Sequence, residues 1–164
     1  MLIKKLLIIL VGVSLLNSCA SMPETESLDQ KMNQWHTDVA EFRLDEYFDF
    51  MSDSFIFLGT APGERWPKEE FYEFSKPYFD KKSTWDFKVT DRHWYYSMDG
   101  KTAWFEENLD TWMEDCRGSG VLINKNNEWK ITHYNLTVLI ENEKIQEFIS
   151  IRKSKDKNLS SSEN

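Results

Sequence analysis

The feature that most constrains this chain is a change of hydrophobic period part-way along it. A period near 3.6 puts residues i, i+4 and i+7 on one helix face, whereas a period of 2 puts i and i+2 on one sheet face. Up to about residue 84 the apolar residues follow the first rule, and from Trp85 onward they follow the second. Leu28, Met32, Trp35 and Val39 form a single stripe behind Ser27, a capping residue type, and predict a helix over 28–41. Leu44, Tyr47, Phe48 and Met51 predict a second helix over 43–52, and residues 54–58 a short buried strand. Residues 59–64 have loop composition, and Pro67 opens a third helix reaching about 81, which Pro77 is expected to kink. Then come strands over 85–95 and 102–113, joined at Asp99-Gly100, a turn at Arg117-Gly118-Ser119-Gly120, a hairpin tip at Asn126-Asn127 and a last strand over 128–140. Helices followed by an antiparallel meander imply an α+β fold, with the helices covering one face of a curved sheet.

Composition narrows the function classes. The chain has 164 residues, enough for one domain, and 15% of them are aromatic, which supports a packed core. With 28 acidic against 20 basic residues its formal net charge is −8, which argues against a nucleic-acid partner, because phosphate neutralisation needs clustered Lys and Arg. Two cysteines exclude a disulfide-rich scaffold. The three histidines, His36, His93 and His133, have no metal-motif spacing, and no phosphate-binding loop, dinucleotide fingerprint or nucleophile elbow occurs. Neither a metal nor any other cofactor is expected.

The ends carry separate signals. Residues 1–18 combine a short basic start with an apolar run from Leu6 to Leu16, which fits a secretory signal and is too short for a membrane-spanning helix. The run ends in Leu16-Asn17-Ser18-Cys19, which resembles a bacterial lipobox. The resemblance implies cleavage before Cys19, acylation of Cys19 and attachment to the lipid bilayer. Ala20 at the next position implies the outer membrane of a bacterial cell envelope. Cleavage would remove Lys4 and Lys5 and take the formal charge from −8 to −10. It would also leave Cys116 as the one free thiol, expected to be buried. Residues 19–27 read as the lipidated Cys and a linker, 28–151 as the domain, and 152–164 as a polar, disordered tail.

Three stretches resemble the SnoaL-like branch of the nuclear transport factor 2 / ketosteroid isomerase superfamily. They are residues 58–66 (Leu-Gly-Thr-Ala-Pro-Gly-Glu-Arg-Trp), residues 99–107 (Asp-Gly-Lys-Thr-Ala-Trp-Phe-Glu-Glu), and residues 117–122 with 128–137. The resemblance spans about 28–145. It implies a cone of strongly curved antiparallel sheet wrapped around N-terminal helices, a pocket at the open end and, in many members, a homodimer through the outer sheet face. It does not imply one function, since members include isomerases, cyclases, dehydratases, hydrolases and non-catalytic pocket proteins. The carboxylate, Tyr and Asp of ketosteroid isomerases have no matching motif positions in this chain.

Polar side chains pointing into such a cone are the informative ones. Under regular alternation Asp91 and His93 continue the face of Phe87 and Val89. Glu107 shares the face of Phe105 and Leu109, and His133 and Asn135 follow Trp129 and Ile131. Arg117 opens the next strand, and Trp66 stands on the pocket rim. Trp66, Asp91, His93, Glu107, Arg117, His133 and Asn135 are therefore the expected pocket residues, with Asp91, Glu107 and His133 the candidate acid–base groups. Glu107 and Arg117 could instead form a structural ion pair. Trp94, Trp104 and Trp112 are expected on the opposite, outer face. The leading expectation is a membrane-anchored protein that binds a small, partly apolar molecule in the cone. One alternative is a cofactor-independent isomerase, dehydratase or hydrolase using a pocket carboxylate and His133. The other is a non-catalytic dimeric interaction module with a filled pocket.

Overall fold

A computed structural model describes residues 25–161. Cys19 and the apolar segment before it lie outside the described residues. In chain order the elements are α1 (Thr25–Ala40), α2 (Leu44–Asp49), β1 (Met51–Leu58), β2 (Arg65–Pro67), α3 (Lys68–Asp80), β3 (Lys88–Tyr96), β4 (Thr102–Thr111), β5 (Glu114–Lys125), β6 (Glu128–Val138), one 3-10 turn and α4 (Ile145–Ser161). Among the described residues no helix is long and apolar enough to cross a membrane.

The α1 stripe does what its spacing predicts. Leu28, Met32, Trp35 and Val39 are each at most 2% exposed. Each such burial removes apolar surface from water and stabilises the fold by about 1.5–3 kcal/mol. Trp35 ties the helix hairpin to the sheet: its ring stacks on Tyr47 of α2 with centroids 4.9 Å apart, meets Tyr134 of β6 edge-on, and its Nε1 donates to the Tyr47 carbonyl. In α3 the helix continues through Pro77 to Asp80. Pro77 lies in the last turn, where few further hydrogen bonds depend on it.

Six strands form one sheet in the order β2-β1-β6-β5-β4-β3. The β3–β6 meander is antiparallel, and β1 joins its edge parallel to β6, so the complete sheet is mixed. Two irregularities decide which side chains face inward. Between β3 and β4 the register steps from Val89↔Leu109 to Asp91↔Asn108, leaving Thr90 as an extra residue. Between β5 and β6 it steps from Leu122↔Ile131 to Val121↔His133, leaving Thr132 extra. Each bulge shifts the alternation by one, so every residue beyond it changes face.

The sequence expectation of a turn at residues 117–120 is corrected. These residues run through the middle of β5, and the turn lies at Trp112-Met113. Gly118 and Gly120 are spacing residues. A Cβ on Gly118 would collide with the Tyr134 hydroxyl and the Glu107 side chain, and one on Gly120 with the Phe105 ring. Cys116, beside them on β5, is fully buried, with its sulfur 3.5 Å from the Thr111 hydroxyl.

α4 runs from Ile145 through Ser161, into the segment whose composition reads as a polar tail. That segment contains neither Gly nor Pro and is rich in residues that lose little freedom in a helix.

Candidate functional site

The bulge at Thr90 turns Arg92 and Trp94 inward and sends Asp91 and His93 to the outer face. There Asp91 and His93 pair with each other at 2.8 Å, with side chains 53% and 61% exposed. The bulge at Thr132 brings Tyr134 and Leu136 into the cone and turns His133 and Asn135 out. His133 is half-buried opposite Val121, its pKa held below the usual histidine value by burial and the nearby Arg65 charge. The Asn135 amide donates to the Thr137 hydroxyl. Arg117 is exposed opposite Asn108 and Thr137. It makes no ion pair with Glu107, whose partner across the strands is Gly118. Trp104 is exposed, as expected of the outer surface, but Trp112, although exposed, lines the same mouth cavity as Trp66, and Trp94 faces inward, where its Nε1 donates to Asp29. Of the seven expected pocket residues, Glu107 lies in the interior and Trp66 lines a cavity at the mouth of the cone. The other five do not converge with them.

Glu107 is 1% exposed and saturated with donors. Its Oε1 accepts from His36 Nε2 at 2.9 Å and from the Tyr134 hydroxyl at 2.7 Å, and its Oε2 accepts from Arg92 Nε at 2.8 Å. A carboxylate only accepts, so His36 Nε2 is the donor. Arg92 extends the cluster through Nη1 to Asp29 Oδ1 and Asn33 Oδ1, both at 3.0 Å. Its Nη2 lies 2.7 Å from Glu107 Oε2, off hydrogen-bond alignment. Burial alone would push the Glu107 pKa up. The His36 and Arg92 charges and the Tyr134 hydroxyl outweigh that and hold it at about 2. Burial and the adjacent Glu107 push the Tyr134 phenol well above its ordinary value, so it stays a donor. Asp29, Asn33 and His36 repeat the α1 stripe one position over, at i, i+4 and i+7. That polar line beside the apolar one is the signal that could have revealed them. Arg92 and Tyr134 were hidden by the bulges.

The mouth of the cone is different in kind. A cavity of about 150 Å³ opens between the end of β1, the 59–64 loop, α3, the segment before β3 and the β4–β5 turn. Seven of its lining side chains are aromatic, and Glu64 is its one ionisable group. Phe57, Phe71 and Trp66 stack in a column, with Phe57 and Phe71 centroids 4.3 Å apart. Phe87 separates this cavity from the polar cluster: it lines the cavity and also lies 6.2 Å from the His36 ring. On its far side a polar surface cleft of about 580 Å³ reaches His36. A depression of about 1100 Å³ is an acidic surface groove between α2 and α3 and lies outside the cone. Among the described residues no group of three or more His, Cys, Asp or Glu side chains is arranged to hold a metal ion.

A family model described as a SnoaL-like domain matches residues 28–141. The chain belongs to the SnoaL-like domain family. The SnoaL-like domain also shares its fold with solved structures at low identity. A nuclear transport factor 2-like protein of unknown function from Pseudomonas putida KT2440 is 10% identical, with TM-score 0.60, covering 72% of this chain and 88% of that one. A nuclear transport factor 2-like protein from Cytophaga hutchinsonii ATCC 33406 is 13% identical, with TM-score 0.59, covering 72% and 100%. No curated protein matches the sequence. At such identities the structural likeness speaks for the fold of the SnoaL-like domain and not for its reaction.

Proposed function

We propose that this SnoaL-like domain is a binding module that takes a small, partly apolar molecule into the aromatic cavity at the mouth of its cone. The observation that carries this is the contrast in unsatisfied surface. The cavity is an apolar concavity walled by rings, where expelling water from ring and ligand surfaces favours binding. At about 150 Å³ against about 30 Å³ per water, it holds one ring or one small head group. Acid–base chemistry through the expected groups finds no support. Glu107 is fully hydrogen-bonded and stays ionised, and Asp91 and His133 stand on the outer face.

The lipobox-like segment adds a location to this reading. Acylated Cys19 would tether the domain to a bilayer at the bacterial cell envelope, the outer membrane, with two or more chains making the anchor stable. A homodimer through the outer sheet face fits the stacked Tyr95 and Trp104 rings, which are 43% and 42% exposed with centroids 5.9 Å apart. Sedimentation of Trp104→Glu against the parent chain tests the dimer, and a fall to half the mass is expected.

Benzene is the probe for the cavity, because one ring matches its size and apolar lining. Titration calorimetry on the full chain in detergent should show saturable binding that is lost in Thr60→Trp, which places a large side chain at the exposed rim. Equal heats for parent and variant would overturn the proposal.

A further inference from the structure

The geometry points to an organic cation as the molecule this cavity selects: a small ammonium carried on an apolar group, held between the aromatic walls and the Glu64 carboxylate. The inference rests on the reading of the cavity as a ligand site and adds the charge of the ligand.

Seven aromatic side chains surround a space the size of one head group, and no Lys, Arg or His lines it. Phe57, Phe71, Trp66 and Phe74 stack on one another, so the faces left for a ligand are those at the ends of the stack and those of the rings outside it; ring faces carry negative quadrupole potential, which attracts a cation and gives an anion nothing. Glu64 is the one ionisable group in the lining, and its sign agrees with the rings.

Glu64 is held in place by its own loop. The Gly59 amide donates to the Glu64 carbonyl, the Glu64 amide to the Ala61 carbonyl, and the Arg65 amide to the Gly63 carbonyl. Gly63, at φ +86°, takes a left-handed conformation that favours glycine. The Ala61 amide donates to the Glu64 side chain itself at Oε2, 2.8 Å away. Gly59 carries no side chain because Glu64 occupies that space: a Cβ there would strike the Glu64 carboxylate. The loop thus folds the carboxylate back over the mouth. Its Oε1 receives no hydrogen bond from the described residues, in contrast to the fully engaged Glu107. The chain's net charge of −8 adds a long-range field of the same sign, which favours cation approach.

Calorimetric titration of the full chain with choline, and with its uncharged carbon isostere in which a tert-butyl group replaces trimethylammonium, tests the inference. Both probes have the same shape, so the ratio of their affinities isolates charge. Choline is expected to bind about tenfold or more tighter than the isostere, as desolvated cation–ring contact and a facing carboxylate together suggest. In Glu64→Gln, which can still accept from the Ala61 amide, that ratio should fall to about threefold or less while isostere binding persists and reports an intact cavity. Thr60→Trp should abolish binding of both probes. Equal affinity of choline and isostere in the parent chain would overturn the cation inference and leave the ligand-site reading standing. So would benzene binding without choline binding. Failure of all three probes would overturn both. Choline binding that survives Thr60→Trp would place the cation elsewhere, such as the acidic α2–α3 groove, and would also overturn it.

Discussion

Two regions of one cone, separated by Phe87, use their side chains in opposite ways. Around Glu107, charged and polar groups from α1, β3, β4 and β6 meet in the interior, and each oxygen of the carboxylate is engaged. Around the mouth cavity, rings from β1, β2 and α3 leave space between them, and Glu64 keeps an unused acceptor. A carboxylate in a cone is therefore no guide to chemistry until its partners are counted. A saturated one fixes strand positions, and an unsaturated one can still receive something from outside. The contrast predicts that changes at the first region alter stability and changes at the second alter binding.

The largest break should come from Glu107→Ala. It leaves Arg92 Nε, His36 Nε2 and the Tyr134 hydroxyl without their acceptor while Arg92 keeps Asp29, and breaking a buried charge pair by removing one partner costs about 3–5 kcal/mol. Urea unfolding should show that loss as a lower midpoint, and a midpoint within about 1 kcal/mol of the parent would contradict the structural role given to the cluster. Acid should act on the same group with somewhat smaller effect. The folded-state pKa of Glu107, about 2, lies below the ordinary glutamate value of about 4.3. Its stabilisation is thus complete above that ordinary value and is lost as pH falls through about 2, on the order of 3 kcal/mol in all. Unfolding curves in Glu107→Gln should lack this part of the pH dependence.

How much of this was legible in the sequence depends on the element. The α1 stripe and the meander were readable because their periods hold over many residues, and burial of Leu28, Met32, Trp35 and Val39 matches that pattern. The site was readable only where alternation runs unbroken. Glu107, on the regular strand β4, was placed inside correctly. Asp91, His93, His133 and Asn135 were not, because single extra residues at Thr90 and Thr132 reverse every face beyond them. Nothing in the local composition of either strand marks those bulges. Gly118 and Gly120 misled for a related reason: glycine serves both sharp turns and close approach, and only the three-dimensional neighbours Tyr134, Glu107 and Phe105 tell the two apart.

Gly118→Ala sharpens the comparison at lower cost. The added methyl must displace the Tyr134 hydroxyl or the Glu107 side chain, and overpacking of this kind destabilises by about 1–3 kcal/mol. Thermal denaturation should show it, while benzene uptake at the mouth stays unchanged. The smallest effect on stability belongs to Thr60→Trp, an exposed loop position where substitutions fall within about 0.5 kcal/mol. Loss of benzene heat with an unshifted melting curve would separate the two regions in one experiment. A melting shift as large as that of Gly118→Ala would merge them.

Cys116 offers a clock for the same molecule. Its sulfur is sealed inside β5, so a thiol reagent reaches it only when the sheet opens. Where reclosing is fast, the labelling rate in native buffer measures the population of the opened sheet. Ligand at the mouth should slow that clock in proportion to occupancy, giving a readout of binding that needs neither a known substrate nor an enzymatic turnover.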